Sequence, residues 1–178
     1  NATQPVIVAG ATVTGAVPLP WAAWVEENSS GVSQLVVSRA QVDNRVQGGF
    51  GWLAVGSTLN LAPTRTAVAP DLTFAGPSNT VPWAVWQETG AARADRIFAK
   101  WWDGTTWRAV GRQESCGDEV SCALNSNGLV DAGAVRVAAG LLPNESVPAP
   151  WVIYQETGAL GNQEIRVMRL DPGNPADA

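Results

Sequence analysis

The chain reads as an all-β fold built from repeated four-stranded antiparallel units. One phrase occurs three times, as Pro20-Trp21-Ala22-Ala23-Trp24-Val25-Glu26, Pro82-Trp83-Ala84-Val85-Trp86-Gln87-Glu88 and Pro150-Trp151-Val152-Ile153-Tyr154-Gln155-Glu156. Its prolines stand 62 and then 68 residues apart, the spacing of a repeat unit of supersecondary size. Around each phrase lie short runs rich in Val, Ile and Trp, punctuated by Gly, Pro and Asn, which is strand-and-turn composition. No segment sustains a helical period.

Each unit is expected to begin with an apolar strand that ends in glycine, as in Val6-Ile7-Val8-Ala9-Gly10, Leu72-Thr73-Phe74-Ala75-Gly76 and Val135-Arg136-Val137-Ala138-Ala139-Gly140. A Gly/Pro/Asn turn leads into the second strand, the Pro-Trp phrase, whose proline is tolerated because it precedes the ladder. The third strand is expected at Leu35-Val36-Val37-Ser38-Arg39, Ile97-Phe98-Ala99-Lys100-Trp101 and Ile165-Arg166-Val167-Met168-Arg169. A fourth follows at Trp52-Leu53-Ala54-Val55-Gly56 and Trp107-Arg108-Ala109-Val110-Gly111. In unit 2 the hairpin before it carries an Asp-Gly turn signal, Asp103-Gly104. The units run over about residues 4–56, 68–111 and 134–171, the third without a fourth strand, in a single repeat domain spanning 4–178. A loop at 112–123 is inserted between units 2 and 3, after which Leu124-Asn125 resumes the register of Leu59-Asn60.

Residues three apart on a strand point to opposite faces, so Trp21 and Trp24, Trp83 and Trp86, and Trp151 and Tyr154 give each sheet an aromatic row on both faces. Stacked sheets bury both rows, and four-stranded sheets repeated about an axis are the β-propeller arrangement. The units resemble bacterial extracellular β-propeller repeats, which carry Pro-Trp-x-x-Trp-x-Glu on one strand and Trp-Asp-Gly-x-x-Trp in a hairpin. The hairpin is Trp102-Asp103-Gly104-Thr105-Thr106-Trp107 here, and unit 1 departs from it with Gln47-Gly48-Gly49-Phe50-Gly51-Trp52. The resemblance covers about residues 4–171 and implies fold and secretion, with no activity attached. About two and three-quarter blades fall short of the roughly four at which propellers close. The expected partners are therefore further blades, from other copies or from a longer chain. A six-bladed ring of two chains is one form of this, and a filament another.

Composition sets the remaining bounds. A net charge of −5 without a basic cluster argues against nucleic acid, and no apolar run approaches the ~18 residues of a membrane span. The chain opens Asn1-Ala2-Thr3, without initiator Met or leader, as expected of a processed chain or a fragment. Cys116 and Cys122 are read as a disulfide closing a short loop, with two free thiols as the alternative; a disulfide implies an oxidising compartment, and the location expected is extracellular or the cell surface. With no His and only two Cys, no metal site and no cofactor are expected.

Catalytic motifs fail individually. The Asp103 hairpin superficially resembles the Asp-box of sialidase-like propellers, yet glycine follows the aspartate directly and Lys100 stands where that motif has serine. Asp71 is the best-placed carboxylate for a glycosidase, but no second can be named opposite it. Serine hydrolase chemistry lacks a His base. Glu26, Glu88 and Glu156 recur at one position and are read as structural groups that accept hydrogen bonds from an adjacent turn. The aligned aromatics Trp21, Trp24, Trp83, Trp86, Trp151 and Tyr154 are read as packing between sheets. Trp101 and Trp102, adjacent and therefore facing opposite ways, are the candidates for contact with a ligand or partner. Asp118 and Glu119, in the cysteine loop, are the candidates for a recognition feature. The function expected is a non-enzymatic, extracellular structural or adhesive module. The alternative is a carbohydrate-binding, lectin-like propeller with glycans as partners, and the third reading is a fragment of a glycosidase.

Overall fold

The computed structural model describes residues 1–10, 18–43, 45, 47, 49–61, 63–90, 93–111, 116, 121–125 and 130–171. These form three antiparallel sheets, each wound strand after strand in sequence order. Sheet 1 holds β1 (Ala2–Val8), β2 (Trp21–Glu27), β3 (Ser33–Val42) and β4 (Phe50–Ala54). Sheet 2 holds β5 (Thr66–Ala75), β6 (Val81–Gly90), β7 (Arg93–Trp102) and β8 (Trp107–Val110), with a single 3-10 turn at Pro77–Asn79. Sheet 3 has three strands, β9 (Ala132–Gly140), β10 (Ala149–Thr157) and β11 (Gln163–Arg169). Among the described residues no strand pairs with β11 on the side where β4 and β8 complete the other sheets.

The repeat is exact at the level of register. Trp21 pairs with Arg39, Trp83 with Trp101 and Trp151 with Arg169, so the Pro-Trp strand meets its neighbour in the same way three times. Each first strand also bulges at a residue of positive φ: Gln4 (53°), Ala69 (49°) and Ala134 (52°). These bulges explain why the first strands begin at Ala2, Thr66 and Ala132, each earlier than the apolar runs alone suggest. Pro5 and Pro70 lie at these register shifts, where a bulge accommodates a residue that cannot donate to the ladder.

Sheet 2 lies between the other two. Its Ala84, Trp86, Leu72, Phe74 and Phe98 pack against Trp21, Ala23, Val25, Leu35 and Val37 of sheet 1. Its opposite face, with Trp83, Val85, Ile97 and Ala99, packs against Val135, Val137, Val152 and Tyr154 of sheet 3. The alternation expected of Trp83 and Trp86 is thus resolved into two separate apolar cores, one at each junction. Among the described residues, only sheet 2 is covered on both faces.

Polar contacts fix the spacing at both junctions. Gln4 of sheet 1 accepts the Ala69 N–H of sheet 2 through Oε1, and Asp71 of sheet 2 accepts the Val137 N–H of sheet 3 at 3.0 Å. The connector after β4 is pinned by Asn60, whose Oδ1 accepts the Leu35 N–H (2.8 Å) while Nδ2 donates to the Ser33 and Arg65 carbonyls. Asn125 repeats this on β7, accepting the Ile97 N–H (2.9 Å) and donating to the Asp95 and Val130 carbonyls. Gly56, at φ 73°, ends the connection from β4 directly beneath the Trp102 and Trp107 rings. A Cβ there would lie 3.0 Å from Trp107 and 3.1 Å from Trp102. Cys116 and Cys122 form a disulfide, and Cys122 is buried against the core of the first junction.

Candidate functional site

The recurring glutamates take their role from strand geometry. Residues two apart on a strand share a face, so the Glu of each phrase sits beside its second aromatic. Trp24 Nε1 donates to Glu26 Oε1 at 2.7 Å, and Trp86 Nε1 donates to Glu88 Oε1 at 2.9 Å. Glu88 is fully buried and its Oε1 also accepts the Leu61 N–H of the preceding connector at 2.7 Å. Lys100, on the same face, donates to the Leu59 carbonyl (2.7 Å) and lies 5.9 Å from the Trp86 ring centroid. Burial lowers the Lys100 pKa, with the Glu88 charge opposing that shift. In sheet 3, Tyr154 hydroxyl donates to the Leu124 carbonyl (2.7 Å), and Arg166 donates to the buried Glu156 (3.1 Å). Glu88 and Lys100 therefore grip the strap that joins sheet 1 to sheet 2. Glu88→Ala is expected to cost about 3–5 kcal/mol, because it leaves a buried indole N–H and an amide N–H without their acceptor and removes the negative charge that offsets the buried Lys100 ammonium. Urea unfolding of the variant measures this; a cost below about 1 kcal/mol would show that the grip contributes little.

Asp71 and Asp103 are likewise engaged in the frame. Asp71 accepts the N–H groups of Leu72 and Val137, one on each oxygen, and so bridges two sheets. Asp103 accepts both the Thr105 and Thr106 N–H groups at 2.7 Å and pairs with Arg108 at 2.6 Å. The Thr106 N–H, then Arg108 and the Thr105 N–H, hold its carboxyl well below the usual aspartate range. A carboxyl depressed on folding stabilises the fold above its unfolded pKa, and that contribution disappears as pH falls through the folded value. Asp103→Asn should therefore lower the melting temperature at pH 7 and progressively less as the pH is taken below about 4. An equal deficit at pH 7 and pH 3 would assign the loss to something other than charge.

Trp101 and Trp102 lie on opposite faces of β7, each half-buried. Trp101 rests against Trp83 with ring centroids 6.4 Å apart, on the side of sheet 3. Trp102 rests against Trp107 at 5.6 Å, on the side of sheet 1, and Trp107 Nε1 donates to the Val55 carbonyl. Trp102 also lines an open groove of about 580 Å³ between the ends of sheets 1 and 2, with Trp21, Phe74, Pro82, Arg39 and Asp103. The Trp21 and Phe74 rings meet edge to face at 5.6 Å in its floor. Asp118 and Glu119, expected to form a recognition feature, lie outside the described residues. No cluster of three or more Cys, Asp or Glu suited to a metal occurs among the described residues. None of the described helices is long and apolar enough to cross a membrane.

The two outer faces of the stack are the larger surface feature. On sheet 3, Ile153 (43 % exposed), Ile165 (60 %) and Val167 (62 %) surround the half-buried Trp151. Register makes these the equivalents of Val85, Ile97, Ala99 and Trp83, all of which are buried on sheet 2. On sheet 1 the outer face presents Ile7, Phe50 and Trp52, all exposed, around the half-buried Trp24 and Val36. Trp24 and Val36 are the equivalents of the buried Trp86 and Phe98. Comparison with protein-family models, with curated proteins and with solved structures finds no match.

Proposed function

We propose that the protein is a non-enzymatic, extracellular module of the β-propeller type, structural or adhesive in role, whose sheets act as blades completed by further blades. The carrying observation is the contrast between equivalent positions: apolar side chains buried on sheet 2 have equivalents that are exposed or only half-buried on sheets 1 and 3. Contiguous apolar surface of this kind marks an interaction site in a stable protein. Among the described residues β11 has no further strand beside it, which adds an open ladder to the same end of the stack. The Cys116–Cys122 disulfide is compatible with an oxidising, extracellular setting. Native mass by light scattering tests the proposal. A multiple of the 18.6 kDa chain mass supports it, and a stable, soluble monomer at high concentration overturns it.

The groove beside Trp102 favours a second reading, a carbohydrate-binding surface. Flat aromatic rings and one arginine are the groups that stack on and hydrogen-bond a pyranose. Binding to a glycan panel should be lost in Trp102→Ala and retained in Trp101→Ala, whose ring faces the other junction. A chain that binds no glycan sinks this reading and leaves the first untouched.

A further inference from the structure

The two open faces are different from one another, and each is one half of an interface that the chain already makes twice. Sheet 1 presents to sheet 2 the face that carries Trp21, Ala23 and Val37; sheet 2 presents to sheet 3 the equivalent face, with Trp83, Val85 and Ala99. The open face of sheet 3, with Trp151, Ile153 and Val167, is that surface a third time. Its receptor at the two internal junctions is the face of Leu72, Trp86 and Phe98 on sheet 2 and of Val137 and Tyr154 on sheet 3. The open face of sheet 1, with Ile7, Trp24 and Val36, is the third instance of that receptor. The two surfaces differ in charge as well. Sheet 3 turns out Arg136, and Arg169 paired with Glu145 at 2.6 Å, while sheet 1 turns out Glu26.

We propose that the open face of sheet 3 docks onto the open face of sheet 1 of a second copy, head to tail, in the geometry of the two internal junctions. This rests on the stacking reading above and names the partner of those faces. A heterologous contact of this kind generates a ring when the rotation closes and a filament when it does not. An isologous dimer, sheet 3 against sheet 3, would set like arginines and like branched side chains against each other and reproduce neither internal junction.

The internal junction supplies the contacts to test. Asp71 of sheet 2 reaches the Val137 backbone of sheet 3, and register places Arg136 where Asp71 stands and Ile7 where Val137 stands. Gln87 lies against Gly133, with the equivalent positions Gln155 and Thr3. All four of these outer residues are exposed. Copies carrying Arg136→Cys mixed with copies carrying Ile7→Cys should form an intermolecular disulfide under mild oxidation, and so should Gln155→Cys with Thr3→Cys. Each variant alone should give only background, with peptide mapping separating these links from Cys116–Cys122. Mass is measured on the same mixtures by light scattering. Mixed links together with a multiple of the chain mass support the proposal. Links within single-variant samples at a doubled mass overturn the head-to-tail pairing while leaving stacking intact. A monomer without links overturns both. Val167→Glu, at a site whose exposure makes folding indifferent to the change, should return the assembly to the monomer with an unaltered circular dichroism spectrum.

Discussion

Trp86→Ala is expected to cost about 3–5 kcal/mol, the range for removing a fully buried large aromatic side chain. Trp86 is completely enclosed between sheets 1 and 2, packs on Phe98 with centroids 5.9 Å apart, and holds Glu88 through its indole N–H. The substitution removes that packing and leaves Glu88 with one donor fewer beside Lys100. Trp24→Ala makes the same chemical change at the equivalent position of sheet 1, on an open and half-buried surface. In an isolated chain it is expected to cost about 1 kcal/mol or less, in proportion to the smaller area it takes from water. The pair becomes informative when protein concentration is varied. If further sheets cover sheet 1, Trp24→Ala lowers stability through assembly, so its deficit grows with concentration, whereas that of Trp86→Ala is already present in the monomer. Denaturant unfolding at two well-separated concentrations measures both. Equal losses at the two tryptophans under dilute conditions would mean that Trp24 is as enclosed as Trp86, contrary to the open face described for sheet 1.

The pairing of these two tryptophans was legible before any coordinates, because a strand's period of two is fixed by backbone geometry and the phrase repeats without insertion. The same rule put Trp101 and Trp102 on opposite faces, whereas Glu26 and Glu88, expected to accept from an adjacent turn, accept the indole N–H of Trp24 and Trp86. Other features were hidden for physical reasons. The bulges fall on Gln4, Ala69 and Ala134, none of them a residue type that favours positive φ, since a bulge is defined by pairing with a neighbouring strand and leaves little trace in side-chain identity. β5 begins at Thr66, ahead of the expected Leu72, and holds Pro70 in its interior. The groove beside Trp102 draws on the ends of strands in two sheets, so its residues are scattered from Trp21 to Asp103 with no motif to join them. The Leu59-Asn60 and Leu124-Asn125 dipeptides were visible as a repeat, but their partners are backbone groups, which every residue carries alike.

Those dipeptides carry the second large effect. Asn60→Ala and Asn125→Ala are each expected to cost about 3 kcal/mol, because each removes the partner of one amide N–H and two carbonyls at a buried or half-buried site. Leu59 and Leu124 donate their own N–H groups back to Leu35 and Ile97, so each dipeptide works as a two-residue strand laid along β3 or β7. Its amide side chain supplies the pairing that the departing backbone cannot. Asp substitutions separate the two halves of the staple. Asn125→Asp keeps an acceptor for the Ile97 N–H but turns a carboxylate oxygen toward the Asp95 and Val130 carbonyls in place of the donor. The introduced carboxyl should then have a raised pKa, so the penalty is largest at neutral pH and shrinks as pH falls and the acid becomes a donor. Thermal unfolding from pH 7 to pH 4 reads the trend, and the same trend should appear at Asn60. Because the two staples share geometry and differ in sequence surroundings, matched losses would place the stabilisation in the repeat itself. A large loss at Asn125 with little at Asn60 would instead tie it to the cysteine-closed connector that leads into Asn125 alone.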